Sequence, residues 1–381
     1  MGPVKRLQLF APVATITVLA VFPILLLASL AQQMAGPPPK GWEHAIDFHM
    51  FWLAARAVAG GHSPYPPPHH FVLSGPDQSF FYPPSTAAML TPFAALDYAA
   101  ASALFVALLA AAVVASLWLL DVRDWRCYGA AFASPAVWTA VSIGTLTPLL
   151  LLGAVATWRW RNRVVLVGLI AGLTVVAKLI LWPLVIWLWF TGRRRTAVLA
   201  VATGAVAWAG AWLWIGFADV HRYSGLVRHA EIAEGPNGYG LFWRLSGSST
   251  TYLAVAAVAA VVVAWVARRR GDAIGFAVAM LAALVATPQL WLHYFALLVA
   301  VVGVFRKRLG FFWLVPLILW ATPHQEADGS PWRIAVVFAL VAATAAWVVL
   351  RDPSREDDEP LQRSVRRVAG RQHKLLEADV A

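Results

Sequence analysis

The 381-residue sequence predicts an all-α polytopic membrane protein, organised as a bundle of about 12 transmembrane helices. Hydrophobic residues make up 60% of the chain and charged residues only 13%, whereas a soluble chain of this length needs roughly a quarter of its residues charged. Apolar runs long enough to cross a bilayer recur along the sequence. The 20 tryptophans fit this interpretation, because indole rings collect where hydrocarbon meets water.

The first apolar run covers residues 7–31 and is long enough for one tilted crossing. It is longer than the apolar region of a signal peptide and has no convincing small-residue cleavage site, so we interpret it as a retained anchor. Lys5 and Arg6 precede it, which favours a cytoplasmic amino terminus. The other apolar runs lie at about 99–120, 127–158, 164–190, 196–217, 248–267, 273–305, 309–321 and 333–350.

Three of these runs are too long or too interrupted for a single crossing. Their polar interruptions lie at residues 142–145, at Lys178 and at residues 287–289. Dividing each run there into a hairpin of two short helices brings the total to about 12 crossings. The basic residues support this division, since 23 of the 30 then fall in cytoplasmic segments and fix the orientation.

This topology predicts one membrane domain, residues 1–350, and a cytoplasmic tail, residues 351–381, in the plasma membrane. The net charge of +11 then faces anionic membrane lipids, so no nucleic-acid partner is expected. Two large segments are external, residues 32–98 and residues 218–247. A shorter one spans residues 321–333.

An amphipathic helix is predicted from Asp47 to Ala59 in the first external segment, lying flat at the membrane surface. Gly60 and Gly61 should end it. His49 and Arg56 share its polar side. The apolar stripe consists of Phe48, Phe51, Trp52, Ala55 and Val58.

Several classes of site are excluded by the sequence. A single cysteine, Cys127, rules out an internal disulfide framework and a thiolate metal cage. Walker A, dinucleotide-binding, Gly-x-Ser-x-Gly and His-Glu-x-x-His motifs are absent. His62, His69 and His70 lack metal-ligand spacing, so we expect neither a metal nor a cofactor. Nine of the ten histidines fall on the predicted external side, which indicates chemistry at the outer face.

Two charged residues are the main candidates for a site. Asp47 lies where loop gives way to helix, and it fits either a helix N-cap or a general base, roles that can coexist. Lys178 lies within an apolar run, where a buried ammonium costs a few kcal/mol. It either reaches towards the membrane surface or binds an anion, for which a phosphate is the natural partner.

Further candidates come from the later segments. His293 and Tyr294 begin a predicted crossing, and they fit either interfacial packing against Trp291 or a site. Arg244 stands on the external side, against the general charge bias, and could bind a phosphate. Asn237 belongs to the Gly-Pro-Asn-Gly turn that precedes it.

Together these segments resemble glycosyltransferase family 87, whose members are membrane mannosyltransferases of the GT-C type. The resemblance covers most of residues 40–310. It is carried by Asp47-Phe-His-Met-Phe-Trp-Leu-Ala-Ala-Arg56, Gly60-Gly-His-Ser-Pro-Tyr65, Phe81-Tyr-Pro-Pro84, Gly144-Thr-Leu-Thr-Pro, Gly168 to Pro183 around Lys178, Asn237-Gly-Tyr-Gly-Leu-Phe-Trp-Arg244 and Pro288-Gln-Leu-Trp-Leu-His293-Tyr.

The resemblance implies a GT-C bundle with an outer cavity beneath the amphipathic helix. It implies inverting transfer of mannose from polyprenyl-phosphate-mannose to a glycolipid or polysaccharide acceptor of the cell envelope, with an α-(1→2) linkage. Asp47 would be the general base. Lys178, Arg244 and His293 would bind the donor phosphate, and the cavity candidates are His49, Arg56, Tyr65, Tyr82, Asn237 and Tyr294.

The sequence departs from the family pattern at three positions. Thr145 stands where glutamine is usual, Tyr294 where a second histidine is frequent, and Tyr239 where serine is frequent. Two alternatives stay open: a transporter or flippase of lipid-linked saccharide, and a GT-C enzyme with another sugar, such as an arabinofuranosyl donor. Polar residues concentrated on one face favour surface chemistry over transport.

Overall fold

The computed structural model describes residues 45–67, 70–72, 78–322 and 330–350. Within these ranges every regular element is helical, as predicted. The first apolar run, residues 7–31, and the tail, residues 351–381, lie outside the described residues, as does His69.

Sixteen α-helices follow one another in the described part of the chain. They are α1 (Ile46–Ala59), α2 (Pro84–Met89), α3 (Tyr98–Leu119), α4 (Trp125–Ala133), α5 (Pro135–Ser142), α6 (Thr147–Arg159), α7 (Val164–Ala177), α8 (Pro183–Phe190), α9 (Arg194–Trp214), α10 (Val220–Glu234), α11 (Leu241–Leu245), α12 (Ser249–Arg269), α13 (Asp272–Val285), α14 (Leu298–Phe305), α15 (Phe311–Leu314) and α16 (Pro331–Val349). Short 3-10 segments lie at Thr91–Ala95, Leu179–Leu181, Gly235–Asn237, Leu292–Leu297 and Val315–Ala321.

Four of the described helices, α3, α9, α12 and α16, are long and apolar enough to cross a membrane. The pair α5 and α6 adds a fifth candidate, bent by 116° at its break. The remaining apolar helices, such as α7 and α13, are shorter. The membrane character of the chain therefore rests on these spans, and the figure of about 12 crossings stays a prediction.

The three polar interruptions are confirmed as helix breaks. The chain leaves helical geometry between α5 and α6, at Lys178 between α7 and α8, and between α13 and the 3-10 segment that begins at Leu292. One detail of the prediction was wrong. The run 127–158 holds three helices rather than two, because Pro135 cannot continue α4 and instead begins α5.

Charged side chains tie together one end of the bundle, the end predicted to be cytoplasmic. Asp272, at the start of α13, accepts hydrogen bonds from Arg161 at 3.0 Å and from Arg193 at 2.6 Å. Asp121 pairs with Arg159 at 2.7 Å. Some of the arginines that set the predicted orientation are thus also bound to acids across the loops.

Helix α1 is anchored at the opposite end of the bundle. The amide of Ala45 donates to the carbonyl of Ser142, and the amide of Asp47 donates to the carbonyl of Ile143, both at 2.9 Å. The N-cap interpretation of Asp47 was wrong, because Ala45 occupies the cap and the Asp47 carboxylate makes no capping bond. The apolar stripe is confirmed, since all five of its predicted members are buried.

Gly144 allows α1 and the α5–α6 break to approach each other. Its φ of +75° is a conformation that residues with a side chain rarely adopt. A Cβ atom on Gly144 would lie 2.8 Å from the Cβ of Phe48 and 3.3 Å from Ala45. Backbone conformation and space both require glycine at this position.

We expect Gly144→Ala to lower the stability of the folded protein by about 1–3 kcal/mol, because it adds backbone strain and a clash with α1. Thermal unfolding of the detergent-solubilised protein measures the effect. Gly210→Ala is the matched control, since a Cβ at Gly210 meets nothing within 4 Å. Equal melting temperatures for the two variants would contradict the role of Gly144.

Candidate active site

A polar cavity of about 200 Å³ lies at the end of the bundle where α7 stops and α13 ends. Its lining comes from residues 81–83, 178–182, 223–231 and 286–294, together with Tyr252. Two external segments and two helix breaks thus contribute to one hollow. We refer to it as the polar cavity.

The break that holds Lys178 is stabilised by the start of α2. Helix α7 ends at Ala177 and the backbone is extended at Lys178. The hydroxyl of Thr86 donates to the carbonyl of Ala177 at 2.7 Å, and the hydroxyl of Ser85 donates to the carbonyl of Val176 at 3.5 Å. Because a helix end leaves carbonyls without intrahelical partners, these hydroxyls replace the missing bonds and fix the position of Lys178.

Two tyrosines surround the ammonium group of Lys178. Its Nζ donates a hydrogen bond to the hydroxyl of Tyr82 at 2.9 Å. The same atom lies 4.6 Å from the ring centre of Tyr82 and 4.3 Å from that of Tyr294. Cation–π attraction and one neutral hydrogen bond stabilise the charge without neutralising it. With only 9% of Lys178 exposed, the cavity holds a buried cation able to bind an anion.

The carboxylate of Asp47 lies within electrostatic reach of this cation. Burial raises the pKa of Asp47 to about 6, and the charge of Lys178 acts in the opposite direction. Asp47 does not itself line the polar cavity, but its charge acts on both Lys178 and Tyr82. A carboxyl group with a pKa near 6 is suited to accept a proton at neutral pH.

The third break, after α13, is held by the second external segment. The amide of Tyr239 donates to the carbonyl of Leu290 at 2.7 Å, and the side-chain amide of Gln289 donates to the carbonyl of Ala230 at 2.8 Å. A Cβ at Gly240 would lie 2.3 Å from the carbonyl oxygen of Pro288, so the two segments are in close contact. This packing brings α10 and Tyr294 to the same cavity.

Four predicted site residues come together here: Asp47, Lys178, Tyr82 and Tyr294. Two more predicted residues, Tyr65 and His293, contact these tyrosines. The hydroxyl of Tyr65 donates to the backbone carbonyl of Tyr82 at 2.9 Å. The buried ring of His293 lies 4.4 Å from the ring of Tyr294.

Four other predicted residues do not line the polar cavity. The guanidinium of Arg244 is exposed and donates to the carbonyls of Pro236 and Gly238 in its own loop, and Asn237 is exposed nearby. His49 packs 4.8 Å from the Tyr98 ring. Arg56 is exposed, above the ring of Trp52. Arg244, His49 and Arg56 thus have local partners, which their sequence positions could not reveal.

Helix α10 supplies lining residues that the sequence analysis missed. Tyr223, Val227 and Glu231 line the cavity, and their spacing of four residues places them on one helix face. That spacing was the available signal, but α10 lies in an external segment without an apolar stripe to orient it. Trp182 and Tyr252 also line the cavity, and neither was predicted as a site residue. Within the described ranges no three His, Cys, Asp or Glu side chains cluster as a metal site requires.

A second hollow, an apolar groove of about 520 Å³, lies among the later helices of the bundle. It is lined by Leu241 and Leu245 of α11 and by residues 250–262 of α12, 278–285 of α13 and 341–349 of α16. Two pairs of sequence neighbours divide between the hollows: Val285 and Thr251 line the groove, and Ala286 and Tyr252 line the cavity. We refer to this second hollow as the apolar groove.

Comparison with known proteins supports the resemblance found in the sequence. The model of glycosyltransferase family 87 matches residues 80–288, more than half of the chain. A polyprenol-phosphate-mannose-dependent alpha-(1-2)-phosphatidylinositol pentamannoside mannosyltransferase of Mycolicibacterium smegmatis is 26% identical over 381 aligned positions, which cover 86% of this chain and 90% of that protein. No solved structure matches the chain.

Proposed function

Because this chain belongs to glycosyltransferase family 87, we propose that it transfers a mannosyl residue from polyprenyl-phosphate-mannose to a hydroxyl group of a glycolipid or polysaccharide acceptor. The observation that carries the proposal is the half-buried carboxylate of Asp47 beside the buried ammonium of Lys178. The external face of the plasma membrane is the proposed side of reaction, with an α-(1→2) linkage. The linkage follows the activity named for the mycobacterial relative.

Lys178 is the proposed binding group for the donor phosphate. Its ammonium has three donor hydrogens, of which the hydroxyl of Tyr82 accepts one. The remaining donor capacity and the positive charge of the ammonium suit a phosphate diester. As the sugar leaves, the phosphate gains negative charge, and a fixed cation stabilises that charge where it develops.

The apolar groove is the proposed site of the donor's polyprenyl chain. Its walls are almost entirely aliphatic, and its lining residues Thr251 and Val285 are sequence neighbours of Tyr252 and Ala286 in the polar cavity. A lipid phosphate at Lys178 can therefore extend its hydrocarbon between α12, α13 and α16. Burial of each methylene contributes about 0.8 kcal/mol, so a long isoprenoid gains affinity from this contact.

Asp47 is the proposed general base. Its carboxylate takes the proton of the acceptor hydroxyl while that oxygen forms a bond to the anomeric carbon of mannose. The bond between the anomeric carbon and the phosphate oxygen breaks on the opposite side, so the configuration inverts. Polyprenyl phosphate leaves with the bonding electron pair, next to Lys178. The products are the mannosylated acceptor, polyprenyl phosphate and one proton held by Asp47.

We expect Asp47→Asn to lower the rate of mannosyl transfer by about 10²–10⁴-fold, because the amide cannot accept the proton. Transfer of radiolabelled mannose from the polyprenyl donor, catalysed by the purified protein in liposomes, measures the rate. Asp97→Asn is the matched control, since Asp97 accepts a bond from the Ala100 amide and caps α3 away from the cavity. Wild-type turnover by Asp47→Asn would remove Asp47 from the role of base.

The pH dependence of transfer offers a second test of Asp47. Because burial raises its pKa to about 6, the fraction ionised falls as the pH drops through that value. We expect kcat/KM to fall about tenfold per pH unit well below pH 6 and to level off above pH 7. The residual rate of Asp47→Asn should not show this fall in kcat/KM at low pH. If the fall persists in this variant, the titrating group is not Asp47.

We expect Lys178→Gln to lower kcat/KM for the polyprenyl donor by about a hundredfold, with little change in the KM for the acceptor. Donor and acceptor titrations in the liposome assay separate the two effects. Arg268→Gln is a control for the loss of one positive charge, because Arg268 lies over Phe190 at the other end of the bundle. A larger change in acceptor KM than in donor kcat/KM would reassign Lys178.

A further inference from the structure

Glu231 differs from most of the acidic residues in that no hydrogen bond or ion pair to its carboxylate is found within the described ranges. The structure describes eight Asp and Glu residues, and six of them have a partner for their carboxylate or a further interaction: Asp97, Asp121, Asp124, Asp219, Glu234 and Asp272. The other two, Asp47 and Glu231, have neither a hydrogen bond nor an ion pair to their carboxylates in the described ranges. Both lie at the candidate active site.

Glu231 lines the polar cavity. It belongs to the face of α10 that also carries Tyr223 and Val227, and all three residues line the cavity. Burial raises the pKa of Glu231, while the charge of Arg228 lowers it. A partly desolvated carboxylate that accepts no hydrogen bond from the described residues gains free energy from any ligand that donates hydrogen bonds to it.

The surroundings of Glu231 fit a sugar rather than a phosphate. Tyr223 and Tyr252 line the same cavity, and tyrosine rings and hydroxyls suit the C–H face and the polar edge of a pyranose. A carboxylate repels a phosphate, whereas neighbouring sugar hydroxyls donate hydrogen bonds to both of its oxygens. Asp47 is the acid whose charge acts on Lys178, so the two carboxylates serve different parts of the site.

We propose that Glu231 binds the acceptor, by accepting hydrogen bonds from hydroxyl groups of the sugar that receives mannose. This inference rests on the proposed mannosyl transfer and adds the acceptor subsite to it. The donor is held by its phosphate at Lys178 and by its chain in the apolar groove. The acceptor sugar then lies against the α10 face, from which its reacting hydroxyl extends to Asp47.

The test uses octyl α-mannopyranoside as the acceptor probe and the intact protein in liposomes. We expect Glu231→Gln to raise the KM for the probe about 10–100-fold, because one oxygen of the carboxylate becomes an amide donor. The KM for polyprenyl-phosphate-mannose should stay within about twofold. Glu234→Gln, one turn further along α10 and away from the cavity lining, is the matched control.

Deoxy analogues of the probe separate a direct contact from a structural effect. Removing the hydroxyl that Glu231 binds should lower the affinity of the wild type for the probe about 10–100-fold. The affinity of Glu231→Gln should fall only slightly. Equal losses in both proteins for every analogue would overturn the contact. A rise in the donor KM instead would move Glu231 to the donor side and overturn the acceptor assignment.

A measurement of probe binding at equilibrium tests the acceptor site without requiring mannosyl transfer. Quenching of Trp182 fluorescence, identified by comparison with a Trp182→Phe variant, reports probe binding without the donor. If wild type transfers no mannose, the proposed function fails, while weaker probe binding by Glu231→Gln still supports the subsite. If wild type transfers mannose and Glu231→Gln binds the probe equally well, only the subsite fails.

Discussion

The two backbone hydrogen bonds between the start of α1 and the α5–α6 break hold the candidate base in place. Ala45 and Asp47 donate to carbonyls that the interrupted helix leaves free, so the bonds that satisfy the break also set the position of the carboxylate. A buried carbonyl without a partner costs about 1–3 kcal/mol. Loss of this contact would therefore destabilise the fold and displace Asp47 together.

The same principle operates at the other two breaks. Thr86 bonds the last carbonyl of α7 beside Lys178, and Tyr239 bonds the carbonyl of Leu290 before Tyr294. In each case an external segment completes a helix that was interrupted within an apolar run. Of the candidate site residues, Lys178 lies at one of these interruptions and Tyr294 directly follows another, and Asp47 packs against the third.

The sequence predicted the breaks because polar residues within apolar runs are costly to place in a bilayer and therefore indicate an interruption of the helix. It also predicted Asp47, Lys178, Tyr82 and Tyr294 as one site, although the resemblance to a family carried much of that prediction. It could not predict that Arg244 bonds its own loop, since the choice between a ligand and local carbonyls depends on the folded conformation of residues 236–238. Glu231 was not predicted because α10 has little apolar patterning. Which face of α10 lines the cavity is therefore known only from the structure.

The apolar groove has exposed walls, which has a consequence for the proposed lipid-linked donor. Val258 is 63% exposed and Leu245 59% exposed, so hydrocarbon seated there faces the bilayer directly. Under the proposed function, polyprenyl phosphate is then exchanged for polyprenyl-phosphate-mannose by lateral diffusion in the bilayer, without passage through water. Supply of this substrate would be governed by its surface density in the leaflet rather than by any concentration in solution.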